Sequence, residues 1–206
     1  MTLLIATRNA HKLDEIRAIL ARPGLTLIGV AEYGAPLDEV VEDADTFAGN
    51  ALKKARALCA ATGLWTLADD SGLEVAALGG APGVFSARYA GEGADDAANN
   101  RRLLGELAGV ADRRARFRCV LALAAPDGRA WTAEGRCEGR LAHAPSGTGG
   151  FGYDPLFHPD GEHRSFAELP PAEKNRLSHR ARALAAALRD WQHLLDAAAA
   201  SARERT

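Results

Sequence analysis

The alternation at the N-terminus restricts the fold more than any other feature of this sequence. Leu3–Ala6 is a short apolar run consistent with a buried strand. Thr7-Arg8-Asn9 is polar, and Leu13, Ile16 and Leu20 then recur at helical spacing until Pro23-Gly24 ends the helix. Leu25–Val30 reads as a second strand. Strand, loop, helix and strand in that order point to α/β architecture.

The pattern continues along the chain. Ala31–Asp45 is an acidic loop with Glu32, Asp38, Glu39, Glu42, Asp43 and Asp45. A helix is expected from near Thr46, with Phe47, Ala51, Leu52, Ala55 and Leu58 as its apolar stripe and Gly63 as its stop. Leu64–Ala68 reads as a buried strand delivering Asp69-Asp70-Ser71-Gly72. Leu73–Gly91 is rich in Gly and Ala, and Gly79-Gly80-Ala81-Pro82-Gly83 marks a turn. Ala94–Leu107 reads as a helix. Arg116–Ala125 and Arg129–Leu141 flank Pro126-Asp127-Gly128 as a hairpin. Ser146–Gly152 is a glycine-rich loop, Leu177–Ala199 a long helix, and Ser201–Thr206 a frayed tail. No internal repeat appears.

At 206 residues the chain is one domain or two small lobes sharing a core. That size suffices to fold without a metal or disulfide. The 25 basic and 27 acidic residues leave a net charge of −2, which argues against a nucleic-acid coat or a membrane-surface binder. A local basic pocket for a small anion remains compatible with that balance. Cys59, Cys119 and Cys137 are odd in number and have no CxxC spacing, so they read as buried thiols in a reduced compartment. The short apolar start lacks a basic leader, and no run approaches membrane-spanning length. These features predict a cytoplasmic protein with neither nucleic acid nor membrane as partner.

Several short segments carry residues suited to phosphate chemistry. Thr7, Arg8, Asn9, Ala10, His11 and Lys12 join a strand to a helix, where backbone N–H groups and a first-turn lysine suit an anion. The Walker pattern is absent, and a plain capped helix accounts for the spacing equally. Asn50 and Lys54 are four apart and share a helix face, which suits a second phosphate contact or an ordinary charged face. Asp69-Asp70-Ser71-Gly72, placed at a strand end, suits a hard divalent cation, with Glu42 as a candidate second ligand. An acidic turn is the alternative.

Gly147-Thr148-Gly149-Gly150-Phe151-Gly152 formally matches GxGxxG. It does not open a helix, because Tyr153-Asp154-Pro155 follows, so it is not a dinucleotide fingerprint. It reads as a flexible loop whose glycines admit a flat ligand, with Phe151 either stacking on a base or filling the core. Lys174, His179 and Arg180 flank the start of the last helix, which Ser178 is placed to cap. Their donors suit base carbonyls, or simply a solvated helix start. The other histidines show no metal spacing. Arg113–Arg118 reads as a solvated edge.

The order of these segments is more specific than any one of them. Thr7-x-Asn9-x-x-Lys12 is followed by Thr46-Phe47-x-x-Asn50-Ala51-x-x-Lys54-Ala55 and by Ala68-Asp69-Asp70-Ser71-Gly72-Leu73. Gly79-Gly80-Ala81-Pro82-Gly83-x-x-Ser86-Ala87-Arg88-Tyr89, Gly147–Pro155 and Glu173-Lys174-Asn175-x-x-Ser178-His179-Arg180 complete the series. The chain thereby resembles the inosine triphosphate pyrophosphatase family, from about residue 2 to residue 196.

The resemblance implies a two-lobed α/β fold over 1–199, with a long mixed sheet flanked by helices, a cleft between lobes, and a tail at 200–206. It implies hydrolysis of dITP, ITP and XTP to the monophosphate and pyrophosphate, a Mg2+ cofactor and a homodimer. Carried over by position, Thr7–Lys12 and Lys54 would hold phosphates, Asp70 would be the catalytic residue, and Glu42 and Asp70 the metal ligands. Ser71, Phe151, Gly152, Tyr153, Asp154, Lys174, His179 and Arg180 would bind the nucleotide. A relative with another nucleotide preference and a non-enzymatic nucleotide binder are the alternatives. One departure is visible: family members often carry Glu before Asn-Ala, where this chain has Gly49. That exchange removes a capping box and is expected to weaken the helix start.

Overall fold

Residues 1–203 are described by the computed structural model, with side-chain surroundings given through residue 197. The expected opening is present: β1 (Thr2–Ile5), α1 (Ala10–Leu20) and β2 (Thr26–Gly29), with β1 and β2 parallel. The helix α2 (Phe47–Thr62) leads to β3 (Trp65–Val75), which also runs parallel to β1. Then come α3 (Asp96–Glu106), the strands β4 (Arg114–Ala124) and β5 (Ala130–Leu141), and the short β6 (Phe157–Pro159), antiparallel to β5. The helices α4 (Pro171–Leu177) and α5 (His179–Arg203) end the described chain. The six strands form one mixed sheet in the order β2-β1-β3-β4-β5-β6.

Local chemistry sets most boundaries. Thr46 caps α2 by accepting the Gly49 N–H at 3.1 Å, and Gly63, in the left-handed region at φ 68°, ends it. Gly128, at φ 90°, turns the hairpin, and its N–H donates to the Ala125 carbonyl at 3.0 Å. The run Cys119–Ala125 is buried throughout, as befits a strand covered on both faces.

Two expected boundaries move. The strand after Gly63 does not stop at Ala68; β3 continues through Asp69-Asp70-Ser71-Gly72 to Val75. Turn-forming composition is overridden there by packing. A Cβ on Gly72 would lie 2.4 Å from the Gly83 carbonyl oxygen and 2.4 Å from Ser86 Oγ, so the strand passes close beneath the 83–88 turn. The long C-terminal helix starts at His179, two residues later than expected, after a separate short helix that ends at Leu177. Ser178 is extended between them, and its Oγ accepts the Ala181 N–H at 3.2 Å, capping α5 as expected. The last helix then passes Ala199 and runs through Arg203, while residues 204–206 of the expected tail lie outside the described residues.

The chain divides into two compact units. One comprises Met1–Asp70, Val120–Gly135 and the chain from Ala183; the other comprises Ser71–Cys119 and Arg136–Arg182. In the first, Leu3, Leu67 and Leu123 of the strands and Leu20, Leu184, Trp191 and Leu195 of the helices are buried. In the second, the core gathers Leu73, Leu103, Phe117, Tyr153, Phe157 and Phe166. The three cysteines are buried free thiols. No helix among the described residues is long and apolar enough to cross a membrane.

Candidate active site

The first unit gathers most of the polar residues picked out in its segments. Asn9 caps α1: its Oδ1 accepts the Lys12 N–H at 3.1 Å, while its own N–H donates to Thr7 Oγ1 at 3.2 Å. Capping by Asn9 thus engages one of the N–H groups expected for an anion. Arg8 reaches the Leu37 carbonyl at 2.6 Å, and Ala10 and His11 begin the exposed first turn. Lys12 Nζ lies 3.2 Å from Asp69 Oδ1, whose side chain is fully buried. This gives Asp69 a definite partner, which the pairing of two aspartates in sequence had left unassigned.

Lys54 is shared by two elements. Its Nζ donates to the Asp69 carbonyl at 2.7 Å and pairs with Glu42 Oε2 at 2.9 Å. Asp70 is buried, and Asn50 Nδ2 donates to its Oδ2 at 3.1 Å. Asn50 Oδ1 in turn accepts the Ala44 N–H at 2.9 Å, so one buried amide ties the acidic loop to Asp70. Asn50 is the functional candidate that the sequence reading placed on a helix face without a role; its position four before Lys54 was the available signal.

Asp70 is electrostatically unusual. Burial pushes its carboxyl up to about 6, with Glu42 adding to the rise and Lys54, Lys12 and the Asn50 hydrogen bond opposing it. Glu42 and Asp70 offer two hard oxygen donors. No cluster of three or more His, Cys, Asp or Glu among the described residues makes a complete metal cage. Mg2+ takes one or two carboxylates and draws its remaining ligands from phosphate and water, a donor chemistry that Glu42 and Asp70 match. The residues present therefore fit that ion.

Gly49 has a packing role at the start of α2. A Cβ there would lie 2.7 Å from Ala44 Cβ and 3.1 Å from Thr46 Oγ1. Glycine lets the 42–45 segment close against the helix start. Gly49→Ala is therefore expected to lower the melting temperature, although alanine is favoured over glycine by about 1 kcal/mol within helices. Adding Ala44→Gly should return the loss. A simple rise in melting temperature for Gly49→Ala would contradict this packing.

The second unit holds the remaining set. Arg180 is fully buried, and its Nη2 donates to Ser71 Oγ at 3.0 Å. His179, also buried, stacks on Phe117 at 4.7 Å with the rings 12° from parallel. Neither fits a solvated helix start. Lys174 is buried against Asp154, with Nζ to Oδ2 at 2.6 Å. Asp154 Oδ2 also accepts the Phe151 N–H at 2.9 Å.

Phe151 is only half-buried, whereas Phe157 and Phe166 fill the core. Lys174 Nζ lies 4.7 Å, and the Arg180 guanidinium carbon 5.8 Å, from the Phe151 ring centre. Tyr153 faces the other way: its ring is in the core and its hydroxyl donates to the Ser86 carbonyl at 2.9 Å. Its side chain supports the loop.

Three of the loop glycines are packed against the protein itself. A Cβ on Gly147 would lie 2.6 Å from the Ala167 carbonyl carbon, and one on Gly150 would lie 2.2 Å from Asp154 Oδ2. The Gly149 N–H donates to the Ala167 carbonyl at 3.0 Å. Of Arg113–Arg118, the residues from Arg114 on are strand, and Arg116 and Arg118 both meet Glu74, at 2.5 and 3.5 Å.

Comparison with known proteins bears on both sets. The family model described as the Ham1 family matches residues 3–190. A dITP/XTP pyrophosphatase of Streptomyces coelicolor is 54% identical over 188 residues, covering 89% of this chain and 94% of the relative. One from Syntrophobacter fumaroxidans is 53% identical over 193 residues, covering 94% and 83% respectively. The solved Ham1 protein of Staphylococcus aureus superposes with a TM-score of 0.82 at 38% identity, over 96% of this chain and 99% of that one.

Proposed function

The chain belongs to the Ham1 family, and from that premise we propose that it hydrolyses dITP, ITP and XTP to the monophosphate and pyrophosphate. The observation that carries this reading is the buried, hydrogen-bonded Asp70 beside Lys12, Lys54 and Glu42. Passive binding of polyphosphate gains little from buried carboxylates, whereas hydrolysis needs a group that orients or takes a proton from water.

In this reading Lys12, Lys54 and the Thr7–Lys12 segment offset the charge of the triphosphate. To meet phosphate oxygens, the two lysines exchange their present partners, Asp69 and Glu42. Glu42 and Asp70 would hold Mg2+, which when bound polarises the phosphate that is attacked. Asp70 orients the attacking water and accepts its proton, and Asn50 fixes the carboxylate's direction. Pyrophosphate leaves with its charge balanced by lysine, so little protonation of the leaving group is needed.

The base falls to the second set. Phe151 presents a half-exposed ring for stacking, and Arg180, with His179, supplies donors suited to the 6-oxo group of hypoxanthine and xanthine. Adenine places an amino donor at that position and leaves them mismatched. Buried polar groups left unpaired disfavour the wrong base strongly. The reading extends to a cytoplasmic homodimer acting on the free nucleotide pool.

The test is pyrophosphate release from inosine, xanthosine, guanosine and adenosine triphosphates, with Mg2+ and with chelator. Release from inosine and xanthosine triphosphates far above that from adenosine triphosphate, and abolished by chelator, is expected, with guanosine triphosphate showing whether a 2-amino group is rejected as well. Equal turnover of inosine and adenosine triphosphates would overturn the 6-oxo assignment, and full activity in chelator would overturn the metal assignment.

A further inference from the structure

We infer that Asp96 and Asn100 are positioning residues for base recognition, clamping the Gly152 backbone that sets Phe151. The inference rests on the reading of Phe151 as the ring that meets the purine. Neither residue carries a sequence signal; both look like ordinary polar residues at a helix start.

Asp96 and Asn100 are four apart on α3 and so project from one face. The Gly152 N–H donates to Asp96 Oδ2 at 2.6 Å, and Asn100 Nδ2 donates to the Gly152 carbonyl at 2.9 Å. One helix face therefore holds both backbone polar groups of one residue. Gly152 sits in the left-handed region at φ 61° and has no side chain with which to anchor itself. Phe151 is thus fixed from two sides. Asp154 takes its own N–H, and the clamp fixes the residue that follows.

Two details separate this clamp from routine helix capping. Capping of α3 is done by Asp95, whose Oδ1 accepts the Ala98 N–H at 2.7 Å, so Asp96 is not needed for it. Asn100 Oδ1 is enclosed and accepts no hydrogen bond among the described residues. An enclosed, unmatched acceptor works against stability. The contribution of Asn100 therefore lies in its Nδ2 donor to Gly152.

The test compares Asp96→Ala, Asp96→Asn and Asn100→Leu with the wild type. Three quantities are read: KM and kcat for inosine triphosphate, the inhibition constant of inorganic tripolyphosphate, which has no base, and the melting temperature. Asp96→Ala and Asn100→Leu should raise KM about five- to a hundredfold, the range set by loss of a base–aromatic stack. They should leave tripolyphosphate inhibition unchanged, and Asn100→Leu should melt no lower than the wild type. Asp96→Asn keeps an acceptor oxygen for Gly152 and should restore most of the KM.

An unchanged KM in Asp96→Ala and Asn100→Leu would overturn the clamp. So would a KM and a tripolyphosphate constant that rise together, or an asparagine at 96 as poor as alanine. Equilibrium binding of inosine triphosphate and tripolyphosphate in chelator reads the same contrast without turnover. Failure of the catalytic reading appears in the wild type, whereas failure of the clamp appears only in the variants.

Discussion

Asp70→Asn is expected to cut pyrophosphate release by about two to four orders of magnitude, the usual contribution of a positioned acid–base group. The same substitution should make the metal-free protein more stable at neutral pH. Asp70 is buried and its carboxyl is raised to about 6, above the ordinary value of 3.8. The folded chain therefore binds this proton more readily than the unfolded chain. The stability that the protonated carboxyl contributes is fully present below the unfolded value and is lost as pH rises through the folded one.

Above pH 6 the wild type carries the cost of a buried ionised carboxylate, about 1–3 kcal/mol by that shift. Asparagine keeps an oxygen for Asn50 Nδ2 and escapes that cost. Thermal melts in chelator should show the variant's advantage opening between about pH 4 and pH 6 and levelling off above. An advantage that shrinks as pH rises would contradict the assigned environment of Asp70. Wild-type turnover in the folded variant would remove Asp70 from the chemistry.

The second large effect concerns Lys174 and Asp154. Both side chains are almost wholly buried, and the ammonium lies between the carboxylate and the Phe151 and Phe166 rings. Asp154→Ala removes the carboxylate 2.6 Å from that ammonium and takes the acceptor from the Phe151 N–H. Breaking a buried pair from one side costs about 3–5 kcal/mol, or about 10 °C in melting temperature for a chain of this length.

The double variant Asp154→Leu with Lys174→Met removes both charges and should recover most of that stability. It should not recover turnover, because the loop has lost the carboxylate that orients Phe151. A double variant as unstable as Asp154→Ala would show that the pair is not what Asp154 contributes. Recovery of turnover along with stability would show that neither charge is needed at the site.

How much of this was legible in the sequence differs from element to element. The opening β1-α1-β2 unit, the Thr46 cap and the 126–128 hairpin are written in local signals, each carried by residues close together in the chain. The course of β3 is not. Asp, Ser and Gly favour turns locally, and only the distant Gly83 and Ser86, packed on Gly72, show why the strand continues. The packing of the glycine-rich loop is non-local in the same way, because Gly147 and Gly149 fit against Ala167 and Gly150 fits against Asp154.

Residue types in the candidate site were legible, but their partners were not. Two adjacent aspartates look equivalent in sequence. In the fold one pairs with Lys12 and the other accepts from Asn50, so the two carboxylates sit in different surroundings. Asp96 and Asn100 lay beyond reach for the same reason, since their partner is a backbone in a distant loop.

Cleavage between the first and second phosphates leaves a distinctive pair of products. Product analysis tests it most directly: inosine triphosphate is incubated with the protein and Mg2+, and every phosphorus-containing product is identified and counted. Equimolar inosine monophosphate and pyrophosphate, with no inosine diphosphate, is the predicted result. Inosine diphosphate with orthophosphate would contradict it, as would tight nucleotide binding with no product at all.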